Sequence, residues 1–359
     1  MIRYSALRAA LPLLLALIPG IAPRAAETPI RVSRPFEISP EFLPGDRYMA
    51  ATLLGSVVIS GDKVDGLGIH ELSGLAWDED AARLYAVSDT GELFHFAPRF
   101  EGERLVGVDA LAAFRLAGPD GAPLDEDLAD AEALAIANGA NGVADDTRLF
   151  VSFEQTPRIA EHRPDGSFVA DVPLPAPLAD PSVYAKPNQQ LEALARHPDI
   201  GLVTSPQKPI ADADPALLTL YDLKGHEWHI EPLDADNSAI VALDPLPGGD
   251  LMVLERRYAS FFQPVIFRVL RVTPGAPGRT LAAEPLVTLD SSKNFRVDNF
   301  EGLTRHRGNR FFIVSDDNRN FVQKTLLLYL KFETPSESTS SETDPAADTD
   351  AAAAATGAP

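Results

Sequence analysis

From about residue 70 onward the chain is written as short apolar runs separated by turn residues. Leu75-Ala76-Trp77, Leu84-Tyr85-Ala86-Val87, Leu93-Phe94-His95-Phe96 and Leu105-Val106-Gly107-Val108 follow one another in this way. Runs this short, rich in Val, Leu, Phe and Tyr and bounded by turn formers, predict β-strands. The grouping then recurs. Leu134-Ala135-Ile136, Leu149-Phe150-Val151-Ser152, Arg158 to His162 and Phe168-Val169-Ala170 form a second set, its last two strands joined by the Asp165-Gly166 turn. A third contains Gly201-Leu202-Val203-Thr204, Leu217 to Tyr221 and His229-Ile230, and a fourth Leu251 to Leu254 and Val265 to Leu270. The last has only Arg310 to Val314 and Thr325 to Leu330 after its first strand.

Each set also opens on an acidic or polar signature and repeats a second one about a hairpin later. The pairs are Glu71-Leu72-Ser73-Gly74-Leu75 with Ser88-Asp89, Glu132-Ala133-Leu134 with Ser152-Phe153-Glu154-Gln155, and Glu192-Ala193-Leu194 with Ser205-Pro206-Gln207-Lys208. Ser238-Ala239-Ile240 with Glu255-Arg256-Arg257, and Glu301-Gly302-Leu303 with Ser315-Asp316-Asp317-Asn318, complete the series. A repeat of about four strands is one blade of a β-propeller, so the fold class predicted is an all-β propeller. Five blades are favoured; intervals near 60 residues are long for one blade and would also accommodate six. A β-sandwich competes on strand content but gives no reason for the polar signatures to repeat. The final blade lacks an outer strand, and Ala51 to Ile59 is an unassigned apolar run. This N-terminal strand is expected to complete the last blade and close the ring, removing an exposed edge.

The ends read differently. Arg3 and Arg8 precede the apolar run Leu11 to Ile18, with Ala22, Ala25 and Ala26 following, the pattern of a signal peptide over residues 1–26. The run is too short and Pro-broken to span a bilayer. The chain contains no Cys, which excludes a lipid-anchoring cysteine and disulfides, so a periplasmic or secreted protein is expected, with no membrane span. From 333 to 359 the sequence is Ser, Thr, Ala, Pro and acids, a tail expected to be disordered. Residues 27–332 are left as a single propeller domain. Of the net charge of −21, the leader holds three Arg and the tail six acids, leaving −18 on this domain. Such a surface repels nucleic acid.

In a propeller the first strand is innermost, and its start lies beside the end of the second. The two signatures of every blade therefore face one mouth of the central channel. Glu132, Glu192, Glu301, Asp89, Glu154, Asp316 and Asp317 are aimed there together, and carboxylates so concentrated need positive charge. Ca²⁺, which takes oxygen ligands, is one neutraliser; Lys208, Arg256 and Arg257 are another. A metal to polarise phosphoryl oxygens and basic groups to hold an anion together suit a phosphate ester. The plain alternative is that acids in blade loops only cap turns.

These residues resemble the bacterial phytase-like domain family, described as having esterase-like activity of phytase. The resemblance runs from about Glu71 to Leu330. It rests on Asn299-Phe300-Glu301-Gly302-Leu303, on Ser315-Asp316-Asp317-Asn318, and on the Glu-Ala-Leu copies at Glu132 and Glu192. It implies a propeller-like repeat fold, an enzyme, and functional roles for Glu132, Glu192, Glu301, Asp89, Asp316 and Asp317. Repeat one departs, with Ser73 at the Glu position, and so does repeat four, with Ser238.

Other motifs fall away. There is no Gly-x-Ser-x-Gly elbow and no Gly-rich nucleotide loop. His226-Glu227-Trp228-His229 has the wrong spacing for a helical zinc site, and Ser205 to Lys208 lacks the partner motifs of a Ser-x-x-Lys enzyme. His70 and His306 are taken as candidates for proton transfer. The expectation is an exported hydrolase of phosphate or related esters acting on a small anionic or ester substrate. Glu132, Glu192, Glu301 and Asp316 are the catalytic candidates, Lys208, Arg256 and Arg257 the substrate contacts, and Asp89, Glu154 and Asp317 the ligands of Ca²⁺. A non-catalytic propeller binding a small ligand or a protein is the alternative, and a lactonase-like propeller enzyme the third.

Overall fold

Five β-sheets stand around one axis in a computed structural model that describes residues 28–260 and 262–333. The leader expected over residues 1–26 lies outside these, as does the expected tail apart from Glu333. Each sheet is a blade whose first strand is innermost. These strands are Leu72–Asp78, Ala131–Ala137, Leu191–His197, Ser238–Pro245 and Asn299–Arg305, each next to its neighbours in the ring, with Asn299–Arg305 returning to Leu72–Asp78. The propeller therefore has five blades, as the repeats favour. No helix among the described residues is long and apolar enough to cross a membrane.

The last blade closes as expected. Thr325–Phe332 pairs antiparallel with Ala51–Ile59, so the blade is built from both ends of the described chain. The stretch before this strand also seals edges: Ser33–Pro35 adds to the same blade, while Ile30–Arg31 crosses to the outer strand of blade one. Arg279–Leu281, from the fourth repeat, adds in parallel to the outer strand of blade three. Edge strands covered in this way offer no template for pairing with another molecule.

Because blades pack face to face, both faces of a strand are buried and the strand reads as a continuous apolar run. Phe311-Phe312-Ile313-Val314 shows the division. Phe311 and Ile313 join the apolar layer shared with blade four, while Phe312 and Val314 join the layer shared with blade one. Three further layers lie between blades three and four, one and two, and two and three. The inner strands approach closely. A Cβ at Gly302 would lie 2.7 Å from the carbonyl oxygen of Ser73, and one at Gly74 would lie 2.6 Å from the Leu134 amide nitrogen. The glycine that follows Ser73 and the one that follows Glu301 are thus packing requirements.

Leu75, Leu134, Leu194, Leu243 and Leu303 each follow a small residue, one per blade, and all are buried. They line the channel from five sides. This leucine belt divides the acidic mouth, where the inner strands begin, from the opposite mouth, where they end.

Candidate functional site

A single device in the inner strands presents the acids. In every blade the pairing of strands one and two slips by a residue, a β-bulge that re-aims one side chain. The bulged residues are Ser73, Glu132, Glu192, Val241 and Glu301. The same register makes Asp89, Glu154, Gln207, Arg256 and Asp316 equivalent at the end of strand two. In blade four the bulge falls on Val241, three residues later than the Ser238 alignment expects. Ser238 instead accepts the Asp234 amide in the turn before the strand. Glu255 turns away to Arg268 and the Leu233 amide, which leaves Arg256 as the inward residue.

Arg256 anchors half of the mouth. Its guanidinium donates to Glu301 Oε1, to Asn299 Oδ1 at 2.6 Å and to Glu192 Oε1 at 3.4 Å. Asn299 Nδ2 in turn donates to Glu301 at 2.9 Å and Asp316 at 3.2 Å, and Gln207 holds the other oxygen of Glu192 at 3.0 Å. Asn318 fixes Asp316 from a left-handed backbone (φ 46°), its amide donating to Oδ1 at 2.6 Å. Ser73 bridges the network to blade one, donating to Asp89 and reaching Glu301 at 3.3 Å.

The other half has acids without a paired cation among the described residues. Asp89, Asp130 and Glu132 each bring a carboxylate oxygen within 4.8 Å of the others. Glu132 and Asp130 are within hydrogen-bonding reach of one another, and Gln155 donates to Asp130 at 3.0 Å. Glu154 is buried beside them and accepts the Gln190 amide at 2.8 Å, while Gln190 Oε1 is buried without a donor. The three carboxylates form an all-oxygen donor set, which fits a hard cation of the Ca²⁺ kind better than zinc or copper. The void between Glu301 and the leucine belt is only about 10 Å³, room for a water or an ion and not for an ester.

Crowding shows in the titration of these groups. Burial, then the charges of Glu301 and Asp316, holds Asp89 well above the usual carboxylate range. Burial with Asp89, Glu192 and Glu154 does the same to Glu132. Glu154 is pushed up to about 9 by burial and Glu192, and Asp316 to about 8 by burial and Glu301. Glu192 is also raised by burial, but Arg256 opposes the rise and it stops at about 7. At neutral pH several of these acids therefore hold protons unless a cation replaces them.

The structure thus gathers Glu132, Glu192, Glu301, Asp316, Asp89, Glu154 and Arg256 at one mouth. Arg257 and Asp317 are not among them, because each sits one residue past the inward position and points the other way, while Lys208, one residue past Gln207, lies at the rim within electrostatic reach of Arg256 and Glu192. Lys208 Nζ donates to the carbonyls of Asp236 and Ser238, and Arg257 pairs with Asp234. Asp317 is tied to His70, the Glu71 amide and Thr325; burial opposes them, yet these hydrogen bonds keep its pKa below the ordinary value. The trio expected to bind metal, Asp89, Glu154 and Asp317, is accordingly not a constellation; Asp89 instead meets Asp130 and Glu132. Asp130 carries no mark in the Glu-Ala-Leu signature. Its only sequence signal is the polar residue two places before the inner Glu, shared with Gln190 and Asn299. His306 lies at the other end of its strand, donating or accepting with the Tyr329 hydroxyl at 2.7 Å amid Trp77 and Phe100. Burial pushes it down to about 4, and it is a core histidine.

Comparison with curated proteins finds no match. Among solved structures the chain is similar to the PQQ-bound aldose sugar dehydrogenase of Streptomyces coelicolor, at 10% identity and a TM-score of 0.40 over 80% of this chain and 100% of that one. It is also similar to U3-55K, at 9% identity and a TM-score of 0.36 over 78% and 98% of the two chains. The Phytase-like family, described as esterase-like activity of phytase, matches residues 68–319. With that match spanning most of the five-bladed ring and both halves of the acidic mouth, the chain belongs to the Phytase-like family.

Proposed function

We propose that this chain is an exported, metal-assisted hydrolase of phosphate or related esters, working at the acidic mouth of the propeller. The observation that carries the reading is the division of that mouth into a cation-free acidic half and a half organised by one buried guanidinium. Asp89, Asp130 and Glu132 would hold Ca²⁺, with waters completing its shell. Bound there, the ion would polarise an ester oxygen and acidify a water. Export to a periplasm or beyond, suggested by the leader-like first 26 residues, would supply Ca²⁺ at the concentrations that extracellular sites use.

The protein groups divide the remaining work. Arg256 pairs with Glu192 and Glu301 and offers a buried positive charge toward an anionic substrate. Asp316 and Glu154 retain protons at neutral pH, so either can protonate a leaving alkoxide, and the carboxylate left behind can accept a proton from water. The leucine belt keeps the reaction on the outer side of the channel, because no ester passes the void beneath Glu301.

The test is turnover by the purified chain on phosphomonoester, phytate and carboxylic ester panels, with Ca²⁺ and with chelator. Hydrolysis that needs Ca²⁺ and is lost in Asp89→Asn and Glu132→Gln is expected. No turnover on any panel, with thermal stability indifferent to chelation, would leave a propeller that only binds a ligand or a protein.

A further inference from the structure

On the far side of the leucine belt the channel opens into a cavity of about 570 Å³, within the range of small-molecule sites. Its walls are the ends of the inner strands and the turns that follow them. By the register that aligns Leu75, Leu134, Leu194, Leu243 and Leu303, the next side chains pointing into the channel are Trp77, Ile136, Arg196, Pro245 and Arg305, and all five line the cavity. One side of this ring is apolar and flat, and the other carries two guanidinium groups at equivalent positions of blades three and five.

The two arginines have little to do in the fold. Arg305 Nε is buried and finds no hydrogen-bond partner among the described residues. Arg196 is exposed to the cavity and pairs with no carboxylate among the described residues. The carboxylates nearby carry hydrogen bonds of their own, although Asp244 also lies within electrostatic reach of Arg305. Asp244 Oδ2 accepts the Thr304 hydroxyl at 2.9 Å and the Arg305 amide at 3.0 Å, and Glu79 is paired with Arg307 and the Trp77 indole. Three arginines against two carboxylates line a cavity in a chain whose net charge is −21. A buried guanidinium nitrogen without an acceptor costs stability unless something supplies one.

We propose that this cavity is a second binding site, distinct from the acidic mouth, for a small organic anion with a flat apolar part. Arg196 and Arg305 grip its carboxylate or phosphoryl group, and Trp77 and Ile136 pack against the apolar part. Blade four presents Pro245 between the two arginines, so the anionic group has room to lie across both.

Calorimetric titration of the full chain in chelator, with phenylacetate and phenylphosphonate as probes and acetate and inorganic phosphate as controls, tests this. One saturable site is expected for at least one aromatic probe, with the controls weaker by about tenfold or more, the loss of the apolar contact. Comparing the two probes decides between carboxylate and phosphoryl recognition. Arg196→Gln, at an exposed position, should weaken binding about tenfold, Arg196→Lys less so, and Glu132→Gln at the other mouth not at all. Absence of saturable binding, or binding unchanged by both Arg196→Gln and Arg305→Gln in folded protein, would overturn the proposal.

Discussion

In chelator the protein should become less stable as the pH rises from 6.5 to 8.0, opposite to the usual behaviour of paired carboxylates. Glu154 and Asp316 are only 4% and 1% exposed, and their ordinary values of 4.5 and 3.8 rise to about 9 and about 8 in the fold. In this window the folded chain holds both protons while the unfolded chain has released them. Stability gained from a raised carboxyl pKa is complete below the unfolded value and is lost as pH climbs toward the folded value. At about 1.4 kcal/mol per group per pH unit, the two groups over this window lower the unfolding free energy by about 3–4 kcal/mol. Glu192, raised to about 7, adds to the early part of the fall. His306 and His162, both held below their ordinary value, oppose the fall by less than about 1 kcal/mol together, because the unfolded chain sheds their remaining protons in the early part of the window. Urea unfolding in chelator, followed by tryptophan fluorescence and extrapolated at each pH, measures the slope. With Ca²⁺ in about hundredfold excess over its Kd, stability should rise by about 2.7 kcal/mol, most at the alkaline end where fewer protons compete for the ligands. A flat or rising profile in chelator would refute the protonated buried acids. A falling profile that Ca²⁺ leaves untouched would refute the metal alone.

Arg256→Gln removes the one cation from between Glu192 and Glu301, and breaking a buried pair of this kind costs about 3–5 kcal/mol at pH 7.5; the loss should shrink at pH 5.5, where the orphaned acids protonate, and an equal loss at both values would contradict the account. Gly302→Ala drives a methyl against the Ser73 carbonyl and Val314, so a lower Tm and a cost of about 1–3 kcal/mol are expected, whereas an unchanged Tm would show that the inner strands can separate. Lys208→Ala, Arg257→Ala and Asp317→Asn should leave Ca²⁺ affinity intact in a titration that Asp89→Asn, Asp130→Asn and Glu132→Gln abolish, and the reverse ranking would move the metal to the outer loops.

Much of this architecture is written in the chain. Recurring apolar runs give the blades, and the orphan run Ala51 to Ile59 gives the closure, because a strand without a partner in its own repeat must pair elsewhere. Six of the seven acids and one of the three basic residues expected at the mouth are also fixed by position, with Glu301 and Asp316 the plainest. What the sequence conceals is register. A β-bulge adds a residue without any mark in composition, so blade four, aligned on Ser238, is off by three and its inward residue is Val241. A strand's period of two then decides between neighbours of equal chemistry. Arg256 faces the channel and Arg257 the outer loop, and Asp316 and Asp317 divide in the same way. Asp130 escapes notice because its turn precedes the strand and only folding brings it to Glu132.

The Glu-Gly/Ala-Leu signature therefore encodes three separate demands. The small residue lets inner strands touch, the leucine seals the channel, and only the Glu is left without a packing explanation. Purely structural acids would be expected to have partners in every blade. Here the acids of blades three and five share one guanidinium, while those of blades one and two face one another with no basic residue between them. Blade four departs from the repeat twice, replacing Glu by Val241 and the strand-two position by Arg256. Both changes remove negative charge from the same side. A ring that leaves its acids facing one another on one side and pairs them with a guanidinium on the other has a direction across the mouth. That asymmetry is what a purely structural ring of acids leaves without a reason, and it is the ground on which the proposed hydrolase reading stands.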